Sequence, residues 1–258
     1  MDDPTRMFRL DGRTAVITGA SSGLGVVMAE ALAGAGAGVV VAARRAERIE
    51  ELARSIGAAG GQALAVPCDV CREQDVDRLV AATLERFGTL DVLVANAGVA
   101  EPQPAEEESL EHFKRIVDVN LHGVFLCAQR CGRVMLARGS GVIVNVASVL
   151  GVVGAGQIPQ ASYTASKGGV VNLTRELAAQ WARRGIRVNA ILPGWFPSEM
   201  TAQMFDDESG RRWIRGRTPM GRAGDPRELV GALLFLASDA SSYVTGALIA
   251  VDGGWTTV

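Results

Sequence analysis

Tyr163 and Lys167 lie four residues apart in Ala161-Ser162-Tyr163-Thr164-Ala165-Ser166-Lys167, and residues at i and i+4 of a helix share one face. A free phenol titrates near pKa ~10 and is a poor proton donor at neutral pH unless a fixed positive charge favours its phenolate. An ammonium one helical turn away supplies that charge, which makes the pair a candidate for proton transfer. Alone, the spacing is far more often an aromatic ring packed against a solvated lysine. A second motif stands near the start, where Ala15-Val16-Ile17 leads into Thr18-Gly19-Ala20-Ser21-Ser22-Gly23-Leu24-Gly25 and then into an apolar-periodic stretch. This pattern reads as strand, glycine-rich turn and helix. Glycines let the backbone turn tightly and come close to a pyrophosphate, and the first N–H groups and dipole of the helix favour the anion. The plainer alternative is a tight strand-to-helix turn with no ligand.

Elements must bring these residues together. Apolar runs read as strands near 14–18, 38–43, 63–67, 90–95, 141–146, 187–192 and 247–251, and helical periods begin near 23, 45, 73, 109, 161 and 225. Such alternation implies right-handed crossovers and a doubly wound α/β parallel sheet of about seven strands with helices on both faces. Asp225-Pro226-Arg227-Glu228 carries an N-cap, a first-turn proline and a capping-box glutamate in register. No repeat or linker divides the chain, so residues 1–258 are expected to form one domain.

Composition narrows the partners. A chain of 258 residues, 48% of them hydrophobic, can bury a large core, and a net charge of −2 without a basic stripe argues against nucleic acid. Arg211-Arg212-Trp213-Ile214-Arg215-Gly216-Arg217 is read as a solvated flap, with a site for an acidic substrate as the alternative. The start lacks an apolar signal core, and the apolar stretches are broken by glycines, Glu30 and Asn145; a soluble, cytoplasmic protein without a membrane partner is expected. Cys68 and Cys71 have a metal-like spacing, and Cys127 and Cys131 share a helix face, but His112 and His122 lack ligand spacing. No metal is expected; reduced, mostly buried thiols are.

With both motifs in view, the chain resembles the short-chain dehydrogenase/reductase family in its compact form, over almost its whole length. Asp69-Val70 after the third strand, Asn96-Ala97-Gly98 after the fourth, Asn120 in Val119-Asn120-Leu121, Ser148 after the fifth, Pro193-Gly194 after the sixth and Val251-Asp252-Gly253-Gly254 near the end fall in the family's order. The resemblance implies a Rossmann-type sheet with its ligand beyond the carboxyl ends of the strands. It implies that Gly19, Ser21, Ser22, Gly23, Leu24 and Gly25 line the pyrophosphate and its ribose. Asp69 and Val70 would hold the adenine edge, and Asn96, Ala97 and Gly98 would pack beside the adenosine ribose. Beyond Pro193 and Gly194, the Phe196 backbone and the Ser198 hydroxyl would meet the nicotinamide carboxamide, Ser198 standing where the family more often has Thr.

Hydride transfer to a carbonyl carbon leaves negative charge on oxygen, which needs a proton donor and a polarising hydrogen bond. The implied roles are Tyr163 as donor, Ser148 as hydrogen-bonding partner, Lys167 as the charge that lowers the Tyr163 pKa and binds the nicotinamide ribose, and Asn120 as the residue that orients a water leading to Lys167. Fourteen residues, Val149 to Ser162, separate Ser148 from Tyr163, a longer stretch than the family commonly has. With Trp195, Met200, Met204, Phe205 and Trp213 in a substrate flap at about 195–217, it suggests a largely apolar pocket. The expected substrate is a neutral ketone or secondary alcohol, with 3-oxoacyl compounds included. A redox-silent lyase relative and a nucleotide-binding pseudoenzyme are the alternatives; the intact glycine turn and Lys167 argue against the first, and the complete Asn120, Ser148, Tyr163 and Lys167 set against the second.

The coenzyme is read from Val39-Val40-Val41-Ala42-Ala43-Arg44-Arg45. An NAD(H) site places a carboxylate there for the ribose 2′-OH, and it would repel a 2′-phosphate. This chain has Ala43 and then Arg44, whose guanidinium suits a phosphate. NADP(H) is therefore favoured and NAD(H) is the alternative, as is a solvated Arg44 opening the next helix. A homotetramer is a family expectation, supported by Trp255 near an end where water would otherwise meet it.

Overall fold

Short Val, Ile, Leu and Ala runs without polar alternation form strands covered on both faces. In the computed structural model, which describes residues 3–258, they are β1 (Thr14–Thr18), β2 (Gly38–Ala43), β3 (Gln62–Pro67), β4 (Val92–Ala95), β5 (Gly141–Val146), β6 (Ile186–Pro193) and β7 (Leu248–Val251). All seven pair in parallel in one sheet of order β3-β2-β1-β4-β5-β6-β7. Val16 sits opposite Val40 on one side and Leu93 on the other.

Successive side chains of a strand face opposite sides, so each strand feeds two cores. Val16, Val40, Leu93 and Ile143 pack with Leu79 of α3 (Glu73–Phe87), Met135 of α5 (Gly123–Arg138) and Leu177 of α6 (Ala161–Trp181). Ile17, Val39, Val41 and Val94 pack with Met28 of α1 (Leu24–Gly34), Ile49 of α2 (Ala46–Ala58) and Leu233 of α9 (Val230–Ala237). Between β1 and β4 the chain reverses its direction of progress across the sheet, which opens a crevice at the carboxyl ends.

The capping box at Asp225 is present: Asp225 accepts from Arg227 N and Glu228 accepts from Asp225 N, both at 2.8 Å. The helix it opens begins with a tighter turn, Pro226–Leu229, before α9. The stretch from residue 109 differs from a single helical period. α4 (Leu110–Val117) and α5 are joined by a π turn, Asp118–His122, which holds Asn120. All four thiols are free, and Cys68, Cys127 and Cys131 are buried while Cys71 is exposed.

One expectation gains detail and another is overturned. Residues 211–217 belong to a helix, α8 (Glu208–Arg217), preceded by the short α7 (Ala202–Asp206). Arg211 and Arg215 pair with Glu208, and Arg217 lies 4.9 Å over the Trp255 ring; Arg211, Arg212, Arg215 and Arg217 are all exposed, so the stretch is solvated as expected but helical in form. Trp255 is 1% exposed and meets Trp195 edge to face at 6.1 Å and Trp213 at 6.2 Å. It finds its cover within its own chain, so it lends no support to a subunit interface.

Candidate active site

The glycine turn is held by its neighbours. Asn96 Nδ2 donates to the carbonyls of Thr18 and Gly19 at 3.0 and 3.1 Å. A Cβ on Gly19 would lie 2.7 Å from Ala97 Cα, and one on Gly25 only 2.4 Å from the Gly19 carbonyl oxygen. Gly23, at φ +57°, is the N-cap of α1 and leaves the first turn of the helix without a side-chain cap. The backbone here has been kept bare for close approach, and it fits a dinucleotide pyrophosphate at a helix N-terminus.

Around it lies a cleft of about 510 Å³ at the crevice between β1 and β4. Its walls are the turn from Gly19 to Gly25 with Ser21, Ser22 and Leu24, the ends of β2 and β3 at Ala43, Arg44, Asp69 and Val70, and Asn96, Ala97, Gly98 and Ser198. These predicted residues come together. Asn96 reaches the site chiefly by locking the turn.

A second cleft, of about 540 Å³, adjoins the first through the shared residues Ala100, Glu101, Glu199 and Met200. Ser148, Tyr163 and Gly194 line it. Ser148 opens a 3₁₀ turn at the end of β5, where its Oγ accepts from Leu150 N at 3.1 Å. Lys167 is 3% exposed; its Nζ donates to the Val146 carbonyl at 2.8 Å and lies 5.7 Å from the centre of the Tyr163 ring. A Cβ on Gly98 would lie 3.5 Å from that Nζ and 3.3 Å from Asn120 Oδ1, which puts the Asn96–Gly98 segment between the two clefts.

Several expectations need correction. Burial raises the Tyr163 pKa, with a hydrogen bond from Ser148 opposing it, and burial alone lowers that of Lys167 to about 8. The bare pair thus lacks the acidified phenol expected from spacing: the same burial that brings the groups close penalises both charged forms. Asn120 Nδ2 donates to the Val99 carbonyl at 2.8 Å and to Ser166 Oγ at 3.2 Å, and Oδ1 accepts from Val99 N at 2.8 Å. Both side-chain donors tie the chain together, leaving an oxygen lone pair as the side chain's means of holding a water. Phe196 lines neither cleft: its carbonyl accepts from Thr201 Oγ1 at 2.7 Å and its ring packs on Gly224. Pro193 likewise stands behind the site, at the end of β6.

The substrate-side cleft is also more polar than the aromatic and Met content of 195–217 suggested. Trp195, Met200 and Met204 line it with Val149, Leu150 and Ile158, but Gln103, Gln160, Gln203 and Thr201 do too. Trp213 and Phe205 turn into the core instead. No Lys, Arg or His lines this cleft among the described residues.

Three further residues contribute to the site. Arg45 bridges the glycine turn and residues 198–201, donating to Ser21, Ser22 and Glu199. Glu199, held down to about 2 by Arg48, Arg45 and Ser22, stands at the junction of the clefts. Glu108, whose side chain is 3% exposed, accepts from the hydroxyl of Ser162, the residue before Tyr163, and pairs with His112 Nδ1 at 2.8 Å. Adjacency to Arg44 was the only signal for Arg45. Glu108 has a local partner in His112, but nothing local links it to the Tyr163 helix, because Ser162 is 54 residues away.

Comparison with known proteins agrees with this geometry. The family described as "Enoyl-(Acyl carrier protein) reductase" matches residues 19–256. The chain is 47% identical over 247 residues to a cis-4-hydroxycyclohexanecarboxylate dehydrogenase of Sinomonas cyclohexanicum, covering 95% of this chain and 97% of the relative. It is 42% identical to a galactitol 2-dehydrogenase of Cereibacter sphaeroides, over 98% and 99% of the two chains. Among solved structures, a gluconate 5-dehydrogenase from Burkholderia cenocepacia in complex with NADP and tartrate superposes with a TM-score of 0.95 at 39% identity, over 99% and 100% of the two chains. A short-chain type dehydrogenase/reductase from Mycobacterium marinum does so with a TM-score of 0.94 at 40% identity, over 98% of each. With its parallel sheet, its crevice and likenesses that run through nearly its whole length, the chain belongs to the short-chain dehydrogenase/reductase family of oxidoreductases.

Proposed function

We propose that the protein interconverts a neutral secondary alcohol and its ketone, using NADP(H) in preference to NAD(H), with Tyr163 as proton donor and acceptor. The observation that carries this reading is the position of Tyr163: half-buried on the wall of the second cleft, facing the same space as Ser148, and one helical turn from Lys167. A bound nicotinamide dinucleotide supplies or accepts the hydride. Tyr163 gives its proton to the carbonyl oxygen as charge develops there, and Ser148 donates a hydrogen bond to the same oxygen. The Lys167 ammonium favours the phenolate that is left behind and binds the nicotinamide ribose. Asn120 fixes Val99 and Ser166 against each other and so sets the spacing of the Tyr163 helix from the coenzyme cleft.

The mixed wall of the second cleft supports a neutral substrate. Val149, Leu150 and Ile158 suit a hydrocarbon ring or chain, while the amides of Gln103, Gln160 and Gln203 suit further hydroxyls or carbonyls. A carboxylate or a phosphorylated carrier would find no cation there. The preference for NADP(H) is supported by Ala43 at the end of β2, by the exposed Arg44 on the cleft wall, and by relatives whose solved structures hold NADP. Cytoplasmic residence and a homotetramer are carried over from the family; exposed Leu110, Phe125 and Tyr243 support assembly, and no helix among the described residues is long and apolar enough to cross a membrane.

The test is a coenzyme-absorbance screen of neutral alcohols and ketones in both directions with both dinucleotides. Turnover of a cyclic or polyhydroxylated secondary alcohol, with the higher kcat/KM for NADP(H), is expected. Ala43→Asp should shift preference toward NADH through repulsion of the 2′-phosphate. A wild-type preference for NADH would contradict the coenzyme assignment, and turnover only of carboxylates would contradict the substrate class.

A further inference from the structure

Arg45 is placed as an anion-binding residue with its anion already present in the chain. Its Nε and Nη2 reach Ser21 Oγ at 3.1 and 2.9 Å, Nη2 reaches Ser22 Oγ at 2.7 Å, and Nη1 donates to Glu199 Oε2 at 2.9 Å. Arg48, one turn along α2, donates to the other oxygen of Glu199. Two guanidinium groups thus converge on a single carboxylate at the rim of the coenzyme cleft, with the Ser21 and Ser22 hydroxyls accepting from Arg45 beside it, a set of groups that suits a phosphate as well. Arg44, which follows Ala43 at the end of β2, makes no side-chain hydrogen bond among the described residues and leans toward Asp69 and Cys71 in a neighbouring groove.

We infer, on the reading that NADP(H) is the coenzyme, that Arg45 and Arg48 with Ser21 and Ser22 form the site for its 2′-phosphate, and that Glu199 fills that site as an internal counter-anion until the phosphate displaces it. A carboxylate and a phosphate sharing one guanidinium repel each other, so the two compete. The exchange is feasible because the pairs are exposed: side-chain exposure is 44% and 51% for Arg45 and Glu199, and 50% for Arg48. Exposed pairs of this kind are individually weak. The displaced carboxylate belongs to the turn Glu199–Thr201, and Glu199, Met200 and Thr201 line the substrate cleft. Coenzyme with a 2′-phosphate therefore frees a wall of the substrate cleft, whereas coenzyme without it leaves that wall pinned to α2. The two sites are coupled, and by linkage the coupling acts equally in both directions.

Calorimetric titration of the wild type, Glu199→Gln and Arg45→Ala with NADP⁺, NAD⁺ and adenosine 2′,5′-bisphosphate tests the inference. Glu199→Gln should tighten adenosine 2′,5′-bisphosphate and NADP⁺ by roughly fivefold, the scale of losing two exposed ion pairs, and leave NAD⁺ within about twofold. Arg45→Ala should weaken both phosphates by roughly tenfold or more with little effect on NAD⁺. In the wild type, NADP⁺ but not NAD⁺ should speed limited proteolysis within residues 198–204. The inference is overturned if Glu199→Gln weakens the 2′-phosphate ligands or leaves them unchanged, or if NADP⁺ does not alter cleavage. If wild-type protein binds neither dinucleotide, the oxidoreductase reading falls with it; if both bind and turn over without these differences, only the inference falls. Should Arg45→Ala fail to fold by circular dichroism, Glu199→Gln and the proteolysis decide.

Discussion

Lys167 donates a hydrogen bond to the carbonyl of Val146, two residues before Ser148. The helix that carries Tyr163 is thereby fastened to the strand end that carries Ser148, and an ammonium is held in a place water scarcely reaches. Burial lowers its pKa to about 8. The unfolded chain, with an ordinary lysine near 10.5, then holds the proton more tightly than the folded one between pH 8 and 10.5. Stability owed to this residue is lowest below pH 8 and recovers as pH rises through that window.

Lys167→Met should accordingly be more stable than the wild type at pH 7, by about 3 kcal/mol before relaxation of the site. That advantage should shrink on raising the pH from 8 toward 10, in paired denaturant titrations. In the wild type, coenzyme affinity should fall above pH about 8 as the ammonium is lost, and Lys167→Arg should move the fall upward. An affinity flat from pH 7 to 10 would remove Lys167 from the coenzyme site.

Glu108 is the acceptor for the Ser162 hydroxyl in the first turn of α6, whose N-cap residue Gln160 makes no side-chain cap. Burial alone would raise its pKa, yet the hydrogen bonds from Ser162 and His112 hold it below the ordinary value. Removing a cap of this kind costs about 1–2 kcal/mol. Glu108→Ala should lower thermal stability by roughly 2–8 °C and reduce kcat severalfold by loosening Tyr163, while Glu108→Gln, which keeps an acceptor, restores most of both. Equal kcat in all three proteins would show that Ser162 needs no such support.

Trp255 covers the flank of α8 together with Trp195, itself a wall of the substrate cleft. Trp255→Ala should cost about 3 kcal/mol as a large-to-small core change and raise substrate KM more than coenzyme KM. Mass by light scattering should stay that of the wild type, because the ring is covered by its own chain. Dissociation on substitution would return Trp255 to an interface.

Most of the architecture was legible because buried parallel strands write themselves as unbroken apolar runs. β1, β2 and β5 fall at the expected residues, and β4 begins at Val92 rather than Leu90 because Leu90 enters the core from the preceding turn. Periodicity does not register a single π turn, so the break at Asn120 was hidden inside one helical stretch. The site was legible where spacing within one segment carries the chemistry, as in the glycine turn and Tyr163 to Lys167. It was illegible where distant segments meet: Glu108 with Ser162, Arg45 with Glu199, and Trp255 with Trp213. Gln103 and Gln160 could not be placed on one wall either, since a single bridge between the segment after β4 and the residue before α6 brings them together.

The central claim is that Tyr163 moves the proton. Tyr163→Phe keeps the ring and its packing and removes only the hydroxyl, so calorimetric coenzyme binding and the melting temperature should stay near wild type. Single-turnover hydride transfer, followed by nicotinamide absorbance on a substrate the wild type turns over, should slow by at least ~10²-fold, the usual scale of a general acid. A variant that retained more than about a tenth of the wild-type rate, with chemistry rate-limiting, would contradict the assignment.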